Sequence, residues 1–571
     1  MKILTSVVFA LLFLLTASTT VGAVVDPRTA ANNIHGIHVI DENDLDDASK
    51  LVNSSGGEWG YVTIVIREDD QNLDKWQKTF DRMRELHLIP LVRLATKPEG
   101  NSWAKPTKES ADDWVKFLSS LNWVVENRYV ILFNEPNHAK EWGNELDPEG
   151  YARILYFFHQ KLKEESDDFF ILPAGFDAAA PNSSGTMEIS LYLARMAKSV
   201  PGVFTLLDGW ASHAYPNPGF SGSPQGIGKG TISGFSWEVS FLGRYGVSNN
   251  IPIFITETGW VHKEGKVDKV LGYDSEDVGN FFKQAYTSVW RDPRIVAVTP
   301  FVLSYQDVPF DQFSWKKYNS NEYHSQYQVV QAILKKNGQP QQIHDSQFID
   351  TESLPEKLVT GSSYSFQIIV KNTGQSIWAD EDGFSLGVDG DLAYDVEKIV
   401  KVRPFEDVRI MLNIKTPEEK GLRIVDLQMM HDGKPFGERI ENQIDVVAPP
   451  SIIVRAKLWF KKKTEGDDFR ILLYRDNKVE KEIVDVSIVD GESKTIELRD
   501  VIPDRAYRFV ILKPFYLPRQ EQGYLSENII TVLSFERMLP VDFNKDGSFS
   551  VGDILEGLRH PLQTFSLLAP I

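Results

Sequence analysis

Between residues 33 and 340, eight short apolar runs alternate with stretches of helical periodicity, and this alternation restricts the fold more than any other feature of the chain. The runs are IHGIHVI (34–40), YVTIVI (61–66), IPLVRL (89–94), RYVILF (128–133), FFILPAG (169–175), LLDGWASH (206–213), IPIFIT (251–256) and IVAVTPFVL (295–303). They are nearly continuous in apolar residues, so both faces of each strand are to be covered, as in a parallel sheet under helices. Between the runs, Val278, Phe281, Phe282, Ala285, Val289 and Trp290 recur on one helical face, and Trp114, Phe117, Leu118 and Leu121 on another. A last helix is expected through YQVVQAILKKNGQP, stopping at Gly338 with Pro340 beyond. Eight βα units in about 300 residues fit a (β/α)8 barrel better than an open doubly wound sheet. No G-x-G-x-x-G follows a strand, which counts against a dinucleotide site.

After residue 345 the helical period stops. SYSFQIIVKNTGQSIW (363–378), VRIMLNIKT (408–416) and IVDLQMMHDGKPFG (424–437) read as strands between Gly, Asp and Pro turns, and predict a β-sandwich over 345–448. VVAPPS (446–451) is a stiff linker, and residues 450–536 predict a second β-sandwich. The fold class expected is therefore α/β, a (β/α)8 TIM barrel followed by two all-β sandwich-like domains.

The first 23 residues read as an export signal: Lys2, an apolar core ILTSVVFALLFLLTA, and a small-residue cleavage site at VGA (21–23). The mature chain is expected to begin near Val24, secreted or at the cell surface, with an uncleaved anchor as the alternative and no later span. The absence of cysteine excludes disulfides, thiol catalysis and cysteine-ligated metals. Sixty-one Lys plus Arg against 80 Asp plus Glu leave a net charge of -19, which argues against nucleic acid and suits neutral partners.

In a (β/α)8 barrel the C-terminal strand ends carry the chemistry. Here those ends present Arg67, Arg93, Asn134-Glu135, Asp177, His213 with Tyr215, Glu257, and Tyr305-Gln306. Two of them place a glutamate beside a turn: LFNEPNH (132–138) on the fourth strand and ITETGW (255–260) on the seventh. Two carboxylates facing one cleft are what hydrolysis of a glycosidic bond requires, one protonated to donate and one ionised to attack. Burial and mutual repulsion separate their pKa values.

NEPN and TETGW, on strands four and seven of eight, resemble the clan A glycoside hydrolases, the retaining (β/α)8 glycosidases; the resemblance covers residues 33–340. It implies a carbohydrate substrate, Glu135 as general acid/base, Glu257 as nucleophile, and Asn134 bonded to the sugar 2-hydroxyl. SHAYP (212–216) stands where the clan places a strand-six His or Tyr, so His213 and Tyr215 are expected to orient the nucleophile or the sugar, and Arg93 to reach the substrate. Where many clan members end strand eight in a tryptophan, TPFVLSYQD offers Tyr305; Trp260 and Trp315 are candidate stacking rings in its place, with core packing as the alternative for each. The loop 213–230, rich in Gly and Pro, is expected to form a wall or lid. The competing reading is a non-catalytic glycan-binding or adhesion protein on a decayed barrel, which the presence of Glu135, Glu257 and Asn134 together disfavours. A metal-dependent hydrolase is disfavoured because no H-x-H pair ends a strand.

The first β-region, with VKNTGQSIW and DLQMMHDGKPFGERI, resembles the Ig-like domains with spaced tryptophans; Trp378 and Met429-Met430 carry the match, which implies a spacer or binding module. At the C-terminus DFNKDGSFSVGD (542–553) follows the calcium-loop pattern. Asp542, Asn544 and Asp546 supply oxygens at positions 1, 3 and 5, Gly547 turns the chain, Ser548 gives its carbonyl at position 7, and Asp553 closes position 12. A structural Ca2+ is expected there, and no cofactor for catalysis. Asp at position 12 resembles a dockerin repeat over 540–562, which implies a cohesin-like or cell-surface partner, although only one loop is present.

Overall fold

The computed structural model describes residues 24–266, 272–350 and 354–569. The expected export signal, 1–23, lies outside the described residues. The chain divides into two compact units, Met1–Ile343 and His344–Ile571.

In the first unit all eight apolar runs are parallel strands: β1 (Gly36–Val39), β2 (Gly60–Arg67), β3 (Leu88–Ala95), β4 (Arg128–Leu132), β5 (Phe169–Pro173), β6 (Trp210–His213), β7 (Ile253–Glu257) and β8 (Ile295–Val298). Strands β1 to β5 pair in order, as do β6 to β8, and parallel bridges Asp177–His213 and His35–Val298 join the two sets at both seams. This is a parallel α/β region consistent with a (β/α)8 barrel. Its lower end is plugged by one layer of rings, Tyr61, Tyr129, Phe170 and Phe254, each the second residue of its strand. Tyr129 contacts the other three at centroid distances of 6.2, 5.0 and 5.4 Å. A barrel filled from below leaves only its C-terminal mouth open for a ligand.

Eight helices cover the strands: α1 (Leu45–Val52), α2 (Leu73–Glu85), α3 (Glu109–Ser119), α4 (Pro148–Glu165), α5 (Ile189–Ser199), α6 (Gly234–Leu242), α7 (Ser275–Thr287) and α8 (Ser325–Gln331). Their starts follow the sequence. Asn72 caps α2 by accepting from the Lys75 N–H at 3.0 Å, and Asp147 caps α4 from Gly150 N–H at 2.8 Å, with Pro148 in the first turn. The last helix ends at Gln331, seven residues short of the expected Gly338. The cause is Lys335, whose buried ammonium donates to the carbonyls of Val330, Gln331 and Ile333 at 2.9, 3.0 and 2.9 Å, taking acceptors that another helical turn would use. Among the described residues no helix is long and apolar enough to cross a membrane.

The second unit opens with two sheets. Ser346–Asp350, Ser363–Asn372, Asp407–Lys415 and Ala393–Val396 form a four-stranded antiparallel sheet; Lys357–Val359, Gln443–Val447, Gly421–His431 and Phe384–Gly390, with Lys434–Ile440, form the other. Trp378 and Met429 are fully buried in their shared core, Trp378 against Phe384 and Phe436, so both fill the interior of the unit. The second expected sandwich is a single sheet of eight strands within residues 451–534. The hairpin Gly466–Arg475/Lys478–Val489 shifts register three times, and such bulges bend a sheet, so Phe469, Ile471, Leu473, Phe509 and Ile511 share one buried core with Ile452, Val454 and Leu533 of the same sheet. At the C-terminal end, α9 (Val551–Arg559) and α10 (Pro561–Leu568) follow the acidic loop.

Candidate active site

The mouth of the barrel is a cleft of about 890 Å³, within the range of small-ligand sites. Strand β4 runs into it through a distorted turn. Phe133 and Glu135 hold φ of +74° and +29°, conformations non-glycine residues adopt only when the surroundings impose them. The surroundings do so. Glu135 N–H donates to Gly175 O at 3.1 Å, and Glu135 O accepts from His138 N–H at 2.8 Å. Fully buried Asn137 donates to the carbonyls of Asp177 and Met187 at 2.9 and 3.1 Å and accepts from Asp177 N–H at 3.2 Å. On the far side Glu257 ends β7, and Thr258 Oγ1 donates to Ala214 O at 2.8 Å, fixing the strand end to the loop after β6. Gly259 turns the chain away at φ +150°.

Between the glutamates stands His213, at the end of β6. Its Nδ1 lies 2.8 Å from Glu135 Oε1 and 3.7 Å from Glu257 Oε2. One oxygen of each carboxylate and a nitrogen of His213 all lie within 4.8 Å of one another. The imidazole packs where a side chain at Gly175 would stand, so any larger residue there would collide with it. Two further groups hold Glu257, and a third stands near it. Arg93 Nη1 donates to Oε1, Tyr215 donates its hydroxyl to Oε2 at 3.0 Å, and His38 Nε2 lies 3.9 Å from Oε1. Arg93 also donates to Asn134 Oδ1 at 2.8 Å, and Asn134 Nδ2 donates to Glu141 Oε2 at 3.1 Å. Arginine can only donate and an ionised carboxylate can only accept, so these neighbours fix which way the Asn134 amide faces.

Burial pushes the Glu257 carboxyl up, but the charges of His213 and Arg93 overcome it and hold the group well below the usual carboxylate range. Burial also opposes protonation of His213, and the neighbouring Glu257 and Glu135 reverse that and raise its pKa. His38 is driven down to about 3, by burial first and then by Arg93, so it is neutral at ordinary pH. Burial raises Glu141, and burial with the Glu257 and Glu135 charges raises Tyr215, which therefore remains a donor. At the cleft edge His138 Nε2 lies 2.9 Å from Asp177 Oδ2, an ion pair that raises the imidazole.

Of the residues singled out from sequence, Arg93, Asn134, Glu135, His213, Tyr215 and Glu257 come together in one network. Tyr305, Arg67 and Asp177 line the cleft around it. Trp260 and Trp315 do not reach it. Trp260 is buried among Phe281, Phe282 and Trp290, and Trp315 packs on Phe282. The Trp260 indole donates to Gly222 O at 2.8 Å, and Tyr273 donates to Ser221 O at 2.9 Å, which makes the 213–230 loop a tethered wall carrying Tyr215, Asn217 and Phe220. Sequence reasoning missed His38, which lies inside an apolar run, and Glu141, which follows the NEPNH turn in a short 3-10 segment. It also missed Phe301, which lies past the end of β8 and meets His38 edge-on at 5.2 Å. The only signal for these was proximity to a strand end.

No protein-family model matches the chain. No curated protein matches it either. Among solved structures it is similar to a calcium-binding mutant of Bacteroides uniformis β-glucuronidase 2, at 11% identity and a TM-score of 0.35, over 84% of this chain and 63% of that one. It is similar to an α-L-arabinofuranosidase from Thermotoga maritima at 10% identity and a TM-score of 0.34, over 68% and 90% of the two chains. A GH113 β-mannanase from Alicyclobacillus acidocaldarius is similar at 10% identity and a TM-score of 0.32, over 52% and 96%. The chain thus spans under two thirds of the length of the β-glucuronidase.

Proposed function

We propose that this chain is an exported retaining glycoside hydrolase acting on a poly- or oligosaccharide, with Glu257 as nucleophile and Glu135 as general acid/base. The observation that carries the reading is the approach of the two carboxylates, within 4.8 Å at their nearest oxygens, on opposite sides of an open cleft. Retaining glycosidases hold their carboxyl groups about 5–5.5 Å apart, whereas inverting ones need about 6.5–9.5 Å to admit a water between them.

The charge distribution supports those roles. Arg93 and His213 keep Glu257 ionised, and Tyr215 aims its free lone pairs. His213 Nδ1 lies 2.8 Å from Glu135 Oε1 and orients that carboxyl toward the cleft. In the first step Glu257 bonds to the anomeric carbon, the glycosidic C–O bond breaks, and the departing oxygen takes the proton from Glu135. In the second, Glu135 removes a proton from water, the water oxygen bonds to the anomeric carbon, and the ester to Glu257 breaks. Asn134, with its amide orientation fixed, is placed to hold the sugar 2-hydroxyl.

Glu135, His213 and Glu257 could also serve as three metal ligands. The Arg93 guanidinium already bonded to Glu257 counts against that use, since a cation there would face a fixed positive charge. The test is reducing-sugar release from β-glucans, mannans, xylans, galactans and host-type glycans, with Glu257→Gln alongside. Release by the wild type, lost in the variant by at least about 10²-fold, is expected. Equal activity in the variant would remove Glu257 from the mechanism, and silence of both across the panel would leave glycan binding as the better account.

The C-terminal loop is read as a Ca2+ site, and its donor chemistry fits. Asp542 Oδ1 is buried without a hydrogen-bond partner, while Oδ2 accepts from Gly547 N–H at 3.2 Å. Asn544 accepts from Asp546 N–H at 3.0 Å and Asp546 from Ser548 N–H at 2.9 Å, the tight turns such a loop needs. Asp553, at position 12, closes a capping box with Ser550 at the start of α9. Oxygen-only donors suit a hard divalent ion, with Asp542, Asn544, Asp546, Ser548 and Asp553 as the residues that would hold it.

A further inference from the structure

We infer that the cleft accepts neutral glycans and rejects those carrying carboxylates, such as uronic acid polymers; this rests on the glycosidase reading above. Among the described residues six carboxylates line the cleft: Glu42, Asp70, Glu135, Glu141, Asp177 and Glu257. Three permanent cations face them, Arg67, Lys75 and Arg93. As these groups stand the surplus is negative; with Glu135 protonated and both His138 and His213 charged it falls to zero, so no net positive charge is left over to meet a substrate anion.

Each of the three cations already faces a carboxylate of the protein. Arg93 is committed to Glu257 and Asn134. Arg67 grips Asp69 through two bonds, Nε to Oδ1 at 2.8 Å and Nη2 to Oδ2 at 3.1 Å. Lys75 lies 2.7 Å from Asp70 and 3.5 Å from Glu42, so two carboxylates share one ammonium. The two imidazoles that gain a proton most easily are also taken, His138 by Asp177 and His213 by Glu135. A site that recognises a carboxylate needs the reverse, a guanidinium or ammonium whose donors are free until the ligand arrives. Here an incoming carboxylate would have to compete with a protein carboxylate at every cation it could reach. It would do so inside a concave surface, where field lines of one sign are concentrated, on a chain of net charge -19.

The geometry also names the residues that impose the exclusion without touching the reacting atoms. Glu42 and Asp70 stand around Lys75 at the rim, on the segments next to α1 and α2. Neutralising both would release Lys75 into the cleft and reverse the local sign.

The experiment compares hydrolysis by the full chain of β-glucan, mannan and galactan, each native and after oxidation of its C6 hydroxyls to carboxylates. Wild type is run beside the double variant Glu42→Gln/Asp70→Asn, at about 0.01 M and 0.15 M ionic strength, where the screening length falls from roughly 30 to 8 Å. For every backbone that is cut, the native polymer is expected to be cleaved at least tenfold faster at low salt. The gap, read as the ratio of native to oxidised rates for each protein, should narrow several-fold at the higher salt and in the double variant. An oxidised polymer cut as fast as its native partner would overturn the inference and leave the glycosidase standing. A gap unmoved by salt and by the double variant would overturn it too, because the discrimination would then be steric. Hydrolysis of no member of any pair would remove the glycosidase reading, and the inference with it.

Discussion

Replacing Arg93 by methionine tests the electrostatic centre of the site. Its side chain is 12% exposed and that of Glu257 10%, so the pair is held largely away from water. Two unit charges about 4 Å apart attract by about 4 kcal/mol at an effective dielectric of ~20. Removing one partner of a buried pair costs about 3–5 kcal/mol, because the other charge is stranded. His213 stays beside Glu257 and offsets part of this, so the lower end, about 3 kcal/mol, is expected at pH 7. At about 1.36 kcal/mol per pKa unit, this loss returns the Glu257 carboxyl by roughly two units, to or above its ordinary range. The sign of the pH dependence follows. In the wild type the folded-state pKa is depressed, so its stabilisation is present above the unfolded value and lost only as pH falls through the lower folded one. In the variant the stranded carboxylate takes up a proton only as pH falls below about 5, so the deficit against wild type is steady from pH 7 to about 5 and shrinks below that, toward the wild-type folded value of about 2. Urea unfolding followed by tryptophan fluorescence measures it, because all but Trp378 and Trp459 of the 13 tryptophans lie in the first unit. Adding Glu257→Gln to Arg93→Met removes the stranded charge and should recover at least about 1 kcal/mol. A deficit below about 0.5 kcal/mol at pH 7, the size of an ordinary surface change, would refute the reasoning, as would a double variant no more stable than the single one.

Gly175→Ala should push the His213 imidazole off Glu135, costing about 1–3 kcal/mol as an overpacked site and lowering hydrolysis sharply; wild-type melting and activity would mean the ring has room to spare. Trp260→Ala should cost about 3–5 kcal/mol as a large core truncation, seen as a lower melting temperature. If Trp260 were a sugar platform, KM would instead rise with melting unchanged. Calcium at 100 times its Kd should stabilise the second unit by about 2.7 kcal/mol, and chelation should remove that in the wild type. Asp542→Ala should show no response to either treatment, and a variant that still responds would place the ion elsewhere.

The barrel was readable because strands buried on both faces leave a periodic record, and both glutamates because each ends such a strand. The tryptophans were not. A ring just beyond Glu257 can face the cleft or the helices, and Trp260 went inward because Phe281, Phe282 and Trp290 of the covering layer offer it a closed apolar pocket. The early end of α8 was hidden for a different reason. Lysine is a good helix former, and only tertiary burial turned Lys335 back onto the carbonyls of its own chain. The bent single sheet of residues 451–534 depended on bulges, which are matters of pairing between strands and leave no mark on either strand alone.

The stitching around Asn137 bears on how such a site can diversify. Loops on a barrel mouth are commonly treated as interchangeable parts, each free to vary while the scaffold persists. Here the segment after β4 and the segment after β5 are sewn together. Asn137 spans Asp177 and Met187, Met187 N–H returns to Asn137 O at 2.9 Å, and Ala139 N–H reaches Gly185 O at 2.9 Å. A chimera that imports a foreign loop at 177–187 would cut those seams and relax the backbone that holds Glu135. The two segments therefore form one structural block, and the segment after β3 is tied to it as well, through Gly143 N–H to Trp103 O at 2.9 Å and Asn144 Nδ2 to Ser102 Oγ at 3.0 Å, so that exchanging any one of the three would disturb the backbone around Glu135.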